Sequence, residues 1–191
     1  NAGIYISTSD DPILSSNTIE SQTTFGVYII ESERVKFKSN IVKNNNNDAL
    51  TLSSGCDDSF IDNNTIKDNG QSSVGKAIKL FEVDGTIIYN NSILSNDYTG
   101  ITIALSNSNF IVHNTIKSNG KYGISITSDL TTSANNTIKD NTINDNQDIA
   151  IYIDGIFTKI INNTIKYNDK DGIQILANGA RTTIQQNNFV D

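Results

Sequence analysis

Six side chains of this 191-residue sequence have the types that acid–base chemistry or stacking on a ligand would need. A lysine can act as a general base, and a pair of carboxylates can share the roles of general acid and general base. The candidates for these catalytic roles are Lys79, Asp154 and Asp171. Tyrosine rings present a flat surface on which an apolar part of a ligand can pack. The candidates for such ligand contacts are Tyr5, Tyr28 and Tyr152. Their joint action depends on the elements that position them.

A repeat runs through the chain and predicts those elements. Its core is apolar–x–x–Asn–x–apolar, which occurs eight times at intervals of 22 to 27 residues. The repeated asparagines are Asn17, Asn40, Asn64, Asn91, Asn114, Asn141, Asn163 and Asn187. A second polar amide follows five residues later in all copies but the last. Each unit also contains a segment in which Gly or Ala precedes alternating apolar residues, such as "GVYI" (26–29) and "GISI" (123–126).

This period and these short alternating segments predict a solenoid of β-strands. Helical repeats are longer and have an apolar period of 3.6 residues, which is missing here. Leucine-rich repeats need leucine at most apolar positions, whereas this chain uses isoleucine, which favours strands. The expected fold is an all-β, right-handed parallel β-helix of about eight coils of about 23 residues. We expect three short strands in each coil and asparagine ladders at the corners. Residues 1–191 would form a single domain, cut from a longer protein.

Each residue of such a solenoid stacks on its equivalent one coil away, roughly 4.8 Å distant. Ile66 is expected to point inward and to stack on Val42 and Ile93. The asparagines that flank Ile66 are expected at sharp corners, because asparagine tolerates the left-handed backbone conformation. Their amides are expected to hydrogen-bond to one another from coil to coil. The loop-like string "NNTIKDNG" (63–70) would therefore be a corner, a strand and a second corner.

With strings such as "NNTIK" (63–67) and "GISI" (123–126), the repeat resembles the pectate-lyase-like superfamily of right-handed parallel β-helices. More narrowly, it is similar to the Asn-rich repeats of carbohydrate-binding and sugar-hydrolase β-helix domains of surface and periplasmic proteins. The resemblance implies a polysaccharide groove along the first strand of each coil, with functional side chains pointing outward. It also implies an extracellular, cell-surface or periplasmic location.

Under this resemblance, the central outward positions of the first strands decide what that face can do. These positions hold Tyr5, Tyr28, Thr51, Lys79, Thr102, Ser125, Tyr152 and Gln174. Asp154, in the next outward column, is the only carboxylate in these two columns, and Asp171 precedes a strand of another coil. Lys79 stands alone as a candidate base. These residues form no predicted catalytic constellation.

The tyrosines suggest binding instead. Tyr5 and Tyr28 are expected on adjacent coils of one face, where they could stack on sugar rings. The alternative is that tyrosine only suits a solvated strand face. Tyr152 lies five coils from Tyr28, too far away to share its subsite.

These observations favour a non-catalytic, extracellular or cell-surface scaffold or adhesion module that binds polysaccharide on the first-strand face. One alternative is a polysaccharide-active enzyme, a lyase, epimerase or hydrolase, with a shallow groove on that face. A second alternative is a purely structural element of a surface layer or filament. Flanking domains or end-to-end self-association are expected at the two ends, because exposed β ends invite pairing.

Charge and composition limit the other partners. The net charge of −7 argues against nucleic acid, and no apolar run is long enough for a membrane span. Copper sites in proteins are built from cysteine, methionine and histidine side chains. This chain has one cysteine, one histidine and no methionine, which argues against a copper site. No cofactor is expected, and calcium at Asp169 and Asp171 is kept as an alternative that lacks a full set of oxygen ligands.

Overall fold

The computed structural model describes residues 2–71, 74–128 and 133–190, which form 24 short β-strands, numbered β1 to β24 along the chain. These residues contain no helix. Each of eight coils contributes one strand to each of three parallel sheets. The predicted all-β parallel solenoid, with three strands in each of about eight coils, is therefore confirmed.

Consecutive coils are hydrogen-bonded neighbours in every sheet, so the solenoid axis runs across all three sheets. The first-strand sheet contains β1 (Ile4–Ser7), β4 (Val27–Ile30), β7 (Leu50–Ser53), β10 (Ile78–Phe81), β13 (Ile101–Ala104), β16 (Ile124–Thr127), β19 (Ile151–Ile153) and β22 (Ile173–Ile175). The second-strand sheet contains β2 (Ile13–Ser15), β5 (Lys36–Lys38), β8 (Phe60–Asp62), β11 (Ile87–Tyr89), β14 (Phe110–Val112), β17 (Thr137–Lys139), β20 (Lys159–Ile161) and β23 (Thr183–Gln185). The third-strand sheet contains β3 (Thr18–Glu20), β6 (Ile41–Lys43), β9 (Thr65–Lys67), β12 (Ser92–Leu94), β15 (Thr115–Lys117), β18 (Thr142–Asn144), β21 (Thr164–Lys166) and β24 (Asn188–Val190).

The core consists of columns of isoleucine, leucine and valine that point inward from the three sheets. Ile66 pairs in register with Val42 on one side and with Ile93 on the other, and all three are fully buried. The predicted stacking is therefore confirmed. Branched side chains suit these columns because they pack well on a pleated surface and lose little rotamer freedom there.

Asparagine ladders run along the corners, as predicted. Asn114 donates its backbone N–H to Oδ1 of Asn141 at 2.9 Å and its Nδ2 to the same oxygen at 3.1 Å. The same Nδ2 also donates to the carbonyl of Ile88 at 2.9 Å. This pattern repeats from Asn17 to Asn187. A second ladder runs from Asn45 to Asn168. In every step the donor lies in the earlier coil and the accepting oxygen in the next coil.

The residue before each asparagine of the first ladder turns the corner. These residues have φ between 54° and 59°, and they are Ser16, Ser39, Asn63, Asn90, His113, Asp140, Asn162 and Gln186. The left-handed backbone expected for the flanking asparagines is therefore right for Asn63 and wrong for Asn64. The two asparagines have different positions. Asn63 is exposed at the corner, whereas Asn64 is buried and directs its amide into the ladder.

Candidate functional site

The first two coils present stacked aromatic rings on the outer face of the first-strand sheet. Tyr5 and Tyr28 pair in register, and their rings are parallel with centroids 5.9 Å apart. The ring of Phe25 lies 5.2 Å from that of Tyr28 at an angle of 55°. We call Tyr5, Phe25 and Tyr28 the aromatic platform. Tyr5 keeps 63% of its surface exposed, so the platform can contact a ligand without any rearrangement of the fold.

Local sequence explains how the platform is held. The tyrosines occupy alternate, outward positions of their strands, and Phe25 lies in the corner just before Gly26. A Cβ atom at Gly26 would lie 2.6 Å from the carbonyl oxygen of Ala49, closer than real Cβ contacts. Glycine therefore permits the close approach of two coils at the corner that places Phe25 against Tyr28.

A cleft of about 480 Å³ adjoins the platform and crosses the second to fourth coils. We call it the central cleft. Its lining consists of Phe25, Tyr28, Asn47, Asp48, Thr51, Ser53, Val74, Lys76, Lys79 and Phe81. Polar and aromatic groups thus converge on one concave surface, as in sites that bind small molecules or sugars.

The central cleft holds one buried carboxylate, that of Asp48, and two ammonium groups without an ion-pair partner among the described residues, those of Lys76 and Lys79. Asp48 is only 4% exposed, and its Oδ1 accepts the backbone N–H of Lys76 at 2.7 Å. Its Oδ2 accepts the hydroxyl of Thr51 at 3.1 Å. Lys79 pairs in register with Thr51, and its Nζ lies 5.3 Å from the centroid of the Phe81 ring. Lys79 forms no ion pair with any described carboxylate, so its charge is available to a ligand.

The three predicted catalytic residues lie apart. Lys79 is on β10, Asp154 directly follows β19, and Asp171 lies in the corner before β22. Three strand spacings separate β10 from β19, roughly 14 Å. Asp154 and Asp171 lie at opposite ends of their strands, and Oδ1 of Asp154 is buried without a hydrogen-bond partner among the described residues. The structure instead brings Asp48 to the cleft that contains Lys79.

Tyr152 lies far from the aromatic platform, five strands from Tyr28 in the first-strand sheet. Its ring stacks on that of Tyr122, with centroids 4.9 Å apart and an angle of 11°. Burial raises the pKa of Tyr152, and the nearby charge of Asp154 raises it further. Tyr152 therefore stays protonated at neutral pH and can donate a hydrogen bond to a ligand.

Sequence reasoning missed Phe25, Asp48 and Lys76 as site residues. Each lies two residues before the first residue of its first strand, in the corner rather than in the alternating segment. Alternation predicts which strand residues point outward, but it does not extend into a corner. Their shared position, two residues before a first strand, could have predicted that they lie together, because residues at equivalent positions of successive coils stack along the solenoid.

No group of three or more His, Cys, Asp or Glu residues in the described ranges is arranged to hold a metal ion. The described part of the chain also has no helix with the length and apolar character needed to cross a membrane. Lys170, which lies between Asp169 and Asp171 in sequence, forms an ion pair with Asp148 at 3.1 Å. Calcium at Asp169 and Asp171 stays an untested alternative.

Comparisons with known proteins agree with this architecture. The family model described as right handed beta helix region matches residues 2–130 and 77–189. No curated protein sequence matches the chain significantly. Among solved structures, the periplasmic alginate epimerase AlgG superposes with a TM-score of 0.88 at 18% identity, covering 98% of this chain and 47% of that chain. The A-module of the Azotobacter vinelandii mannuronan C-5 epimerase AlgE6 has a TM-score of 0.82 at 14% identity, covering 98% and 54%.

The enzymatically active domain of the bacteriophage CBA120 tailspike protein 2 is also similar, with a TM-score of 0.60 at 10% identity, covering 98% of this chain and 38% of that chain. The chain thus spans about half the length of the epimerase structures and less of the tailspike domain. At these identities the likeness shows a shared fold.

Proposed function

The chain belongs to the right-handed β-helix family, and on that premise we propose that it binds polysaccharide as part of a polysaccharide-active protein. The single observation that carries the proposal is the aromatic platform beside the central cleft on the first-strand sheet. Two proteins that share the fold are named as epimerases of alginate and of mannuronan, which supports a polysaccharide ligand. A periplasmic, extracellular or cell-surface location is part of this proposal.

The platform suits sugars for a physical reason. Pyranose rings carry apolar C–H faces, and flat aromatic rings bury such faces at little loss of conformational freedom. The Tyr5 and Tyr28 rings are already parallel, so no side chain needs to be reordered when a sugar binds. Asn47 at the adjoining cleft is only partly buried and supplies an amide group that can bond to sugar hydroxyls.

Replacing both platform tyrosines should weaken binding sharply. In the double variant Tyr5→Ala/Tyr28→Ala, affinity should fall roughly tenfold to hundredfold, or about 1.4–2.8 kcal/mol, because both stacking surfaces are lost. Titration calorimetry against a panel of acidic and neutral polysaccharides measures the change. Tyr89→Ala is the matched control, since Tyr89 is an exposed strand tyrosine of the second-strand sheet. Equal affinities of the double variant and the unchanged protein for the bound polysaccharide would contradict the proposal.

A second candidate is catalysis in the central cleft, by an epimerase, lyase or hydrolase. The observation that favours it is the uncompensated ammonium of Lys79 in a cleft that also holds Asp48. Epimerisation of a uronate, or its cleavage by elimination, develops negative charge at the sugar carboxylate. A cation beside that carboxylate stabilises this charge. Lys79 would be the residue in this role, with no part for Asp154 or Asp171.

Turnover separates this candidate from pure binding. Incubation with polyuronates is followed by NMR for C-5 inversion, by ultraviolet absorbance for unsaturated ends, and by assay for reducing ends. If catalysis occurs, Lys79→Ala should lower kcat roughly 10²- to 10³-fold while the platform still binds. Lys159→Ala, on the second-strand sheet, is the control. Polysaccharide binding without product would support a non-catalytic scaffold or adhesion module. If neither binding nor product is detected, a structural surface-layer or filament element would be supported.

A further inference from the structure

A second group of aromatic and basic side chains lies further along the same face. Lys121 donates from Nζ to the hydroxyl of Tyr98 at 2.7 Å, and its Nζ lies 4.7 Å and 4.6 Å from the ring centroids of Tyr98 and Tyr122. Tyr122 in turn stacks on Tyr152 at 4.9 Å. We call Tyr98, Lys121, Tyr122 and Tyr152 the tyrosine–lysine cluster. It extends over the fifth, sixth and seventh coils.

The cluster is held in place by the solenoid itself. Tyr98 and Lys121 occupy equivalent corner positions of successive coils, and the backbone N–H of Lys121 donates to the carbonyl of Tyr98 at 3.0 Å. Tyr152 lies at the central outward position of β19. All four side chains are partly buried, so their surfaces are ordered before any ligand arrives. Such ordering lowers the entropy that binding must overcome.

Three lysines of this face, Lys76, Lys79 and Lys121, lie over aromatic rings and form no ion pair with any described carboxylate. Lysines without an ion pair to a described carboxylate, Lys38 and Lys166 among them, also occur on the other two sheets. The stacked tyrosines beside Lys121 therefore distinguish this face, and its charge alone does not. The hydrogen bond to Tyr98 raises the pKa of Lys121, which keeps its ammonium charged. Although the net charge of the chain is −7, the ammonium of Lys121 is therefore available to an anionic group of a ligand.

We infer that the tyrosine–lysine cluster is a second sugar subsite, which takes a residue bearing a uronate or sulfate group from the polysaccharide that binds the platform. The sugar ring packs on the stacked pair Tyr122 and Tyr152, and its anionic group lies against Lys121. This inference rests on the proposed function, because it assigns the substrate class of the same face. It adds that an acidic polymer, rather than a neutral one, is the ligand.

The positions of the two subsites predict a length requirement. Tyr28 and Tyr122 belong to the second and sixth coils, so four coil spacings, roughly 19 Å, separate them along the axis. A polymer lying along the axis reaches both subsites, whereas a disaccharide reaches one. Binding at one subsite raises the local concentration of the polymer at the other, which increases affinity without any new contact.

The test uses the 191-residue chain with four probes: polygalacturonate, its fully methyl-esterified form, dextran sulfate and digalacturonate. Lys121→Gln removes one charge at nearly constant length, and Lys159→Gln removes one charge from the second-strand sheet as the matched control. For the acidic polymers, Lys121→Gln should lower affinity roughly tenfold to hundredfold, whereas Lys159→Gln should not. Affinity for the methyl ester should not change. Digalacturonate should bind more weakly than the polymer, and the acidic polymer whose affinity falls more in Lys121→Gln identifies the preferred anionic group.

The outcomes separate this inference from the proposed function. If platform substitutions abolish binding but Lys121→Gln and Tyr122→Ala both match the unchanged protein, the second subsite is disproved and the proposed function stands. If no polysaccharide binds the unchanged protein, both fall. Circular dichroism of Tyr122→Ala checks that its fold is intact, and Lys121→Gln decides the matter if that variant unfolds.

Discussion

Replacing Asn114 by alanine is expected to lower the free energy of unfolding by roughly 3–5 kcal/mol, because the ladder is broken where it is fully buried. Oδ1 of Asn114 accepts both the backbone N–H and Nδ2 of Asn91, at 2.9 Å and 3.0 Å. The substitution leaves that buried N–H without an acceptor, and it also removes the donor to the Ile88 carbonyl. Guanidinium unfolding followed by circular dichroism measures the loss.

The neighbouring coil supplies the control for this prediction. Asn90 is exposed and turns the corner with a φ of 55°, and glycine adopts this conformation without strain. Asn90→Gly should therefore change the free energy of unfolding by no more than about 0.5 kcal/mol. If Asn114→Ala were as stable as Asn90→Gly, the ladder would contribute nothing that water could not replace.

Truncating one buried isoleucine should have the second largest effect. Ile116 is fully buried, and its neighbours in register are Ile93 and Ile143. Ile116→Ala should destabilise the protein by about 2–5 kcal/mol, through lost burial and through the cavity that remains. The regular spacing of the coils is fixed by backbone hydrogen bonds, so the cavity cannot collapse easily. Thermal and denaturant unfolding both report the change.

A second isoleucine of the same sheet tests whether burial is the cause. Ile41 lies in β6 with 41% of its surface exposed and points away from the core. Ile41→Ala should lower stability by less than about 1 kcal/mol, since little apolar surface returns to water. Equal losses at Ile41 and Ile116 would show that strand propensity, rather than the apolar column, dominates.

The core and the ladders could be predicted from sequence because each depends on one repeated spacing. Once Ile66 is aligned with Val42 and Ile93, stacking at one coil spacing follows from the geometry of parallel strands. The backbone conformation within a corner did not follow. Asn63 and Asn64 have the same side chain, yet only Asn63 takes the left-handed conformation. Position relative to the ladder decides this, and residue type does not.

The candidate site could be predicted only where strands carry it. Tyr5 and Tyr28 were expected to be neighbours, and their alternation in the strands places them so. Phe25, Lys121 and Tyr122 lie in corners, where no two-residue alternation fixes the direction of a side chain. Their contacts arise from the stacking of unlike residues in successive coils. A single sequence shows that such residues share a column but not that their side chains meet.

The uniform direction of the ladders gives the solenoid an electrical polarity. Strand dipoles largely cancel within a β-sheet. The asparagine amides do not, because every Oδ1 points to the earlier coil, where it accepts, and one Nδ2 hydrogen points to the later coil, where it donates to the next Oδ1. Their dipoles therefore add along the axis, and aligned bonds polarise and strengthen one another. Like the macrodipole of an α-helix, this array favours negative charge beyond its N–H end, at the later coils, and positive charge beyond its oxygen end.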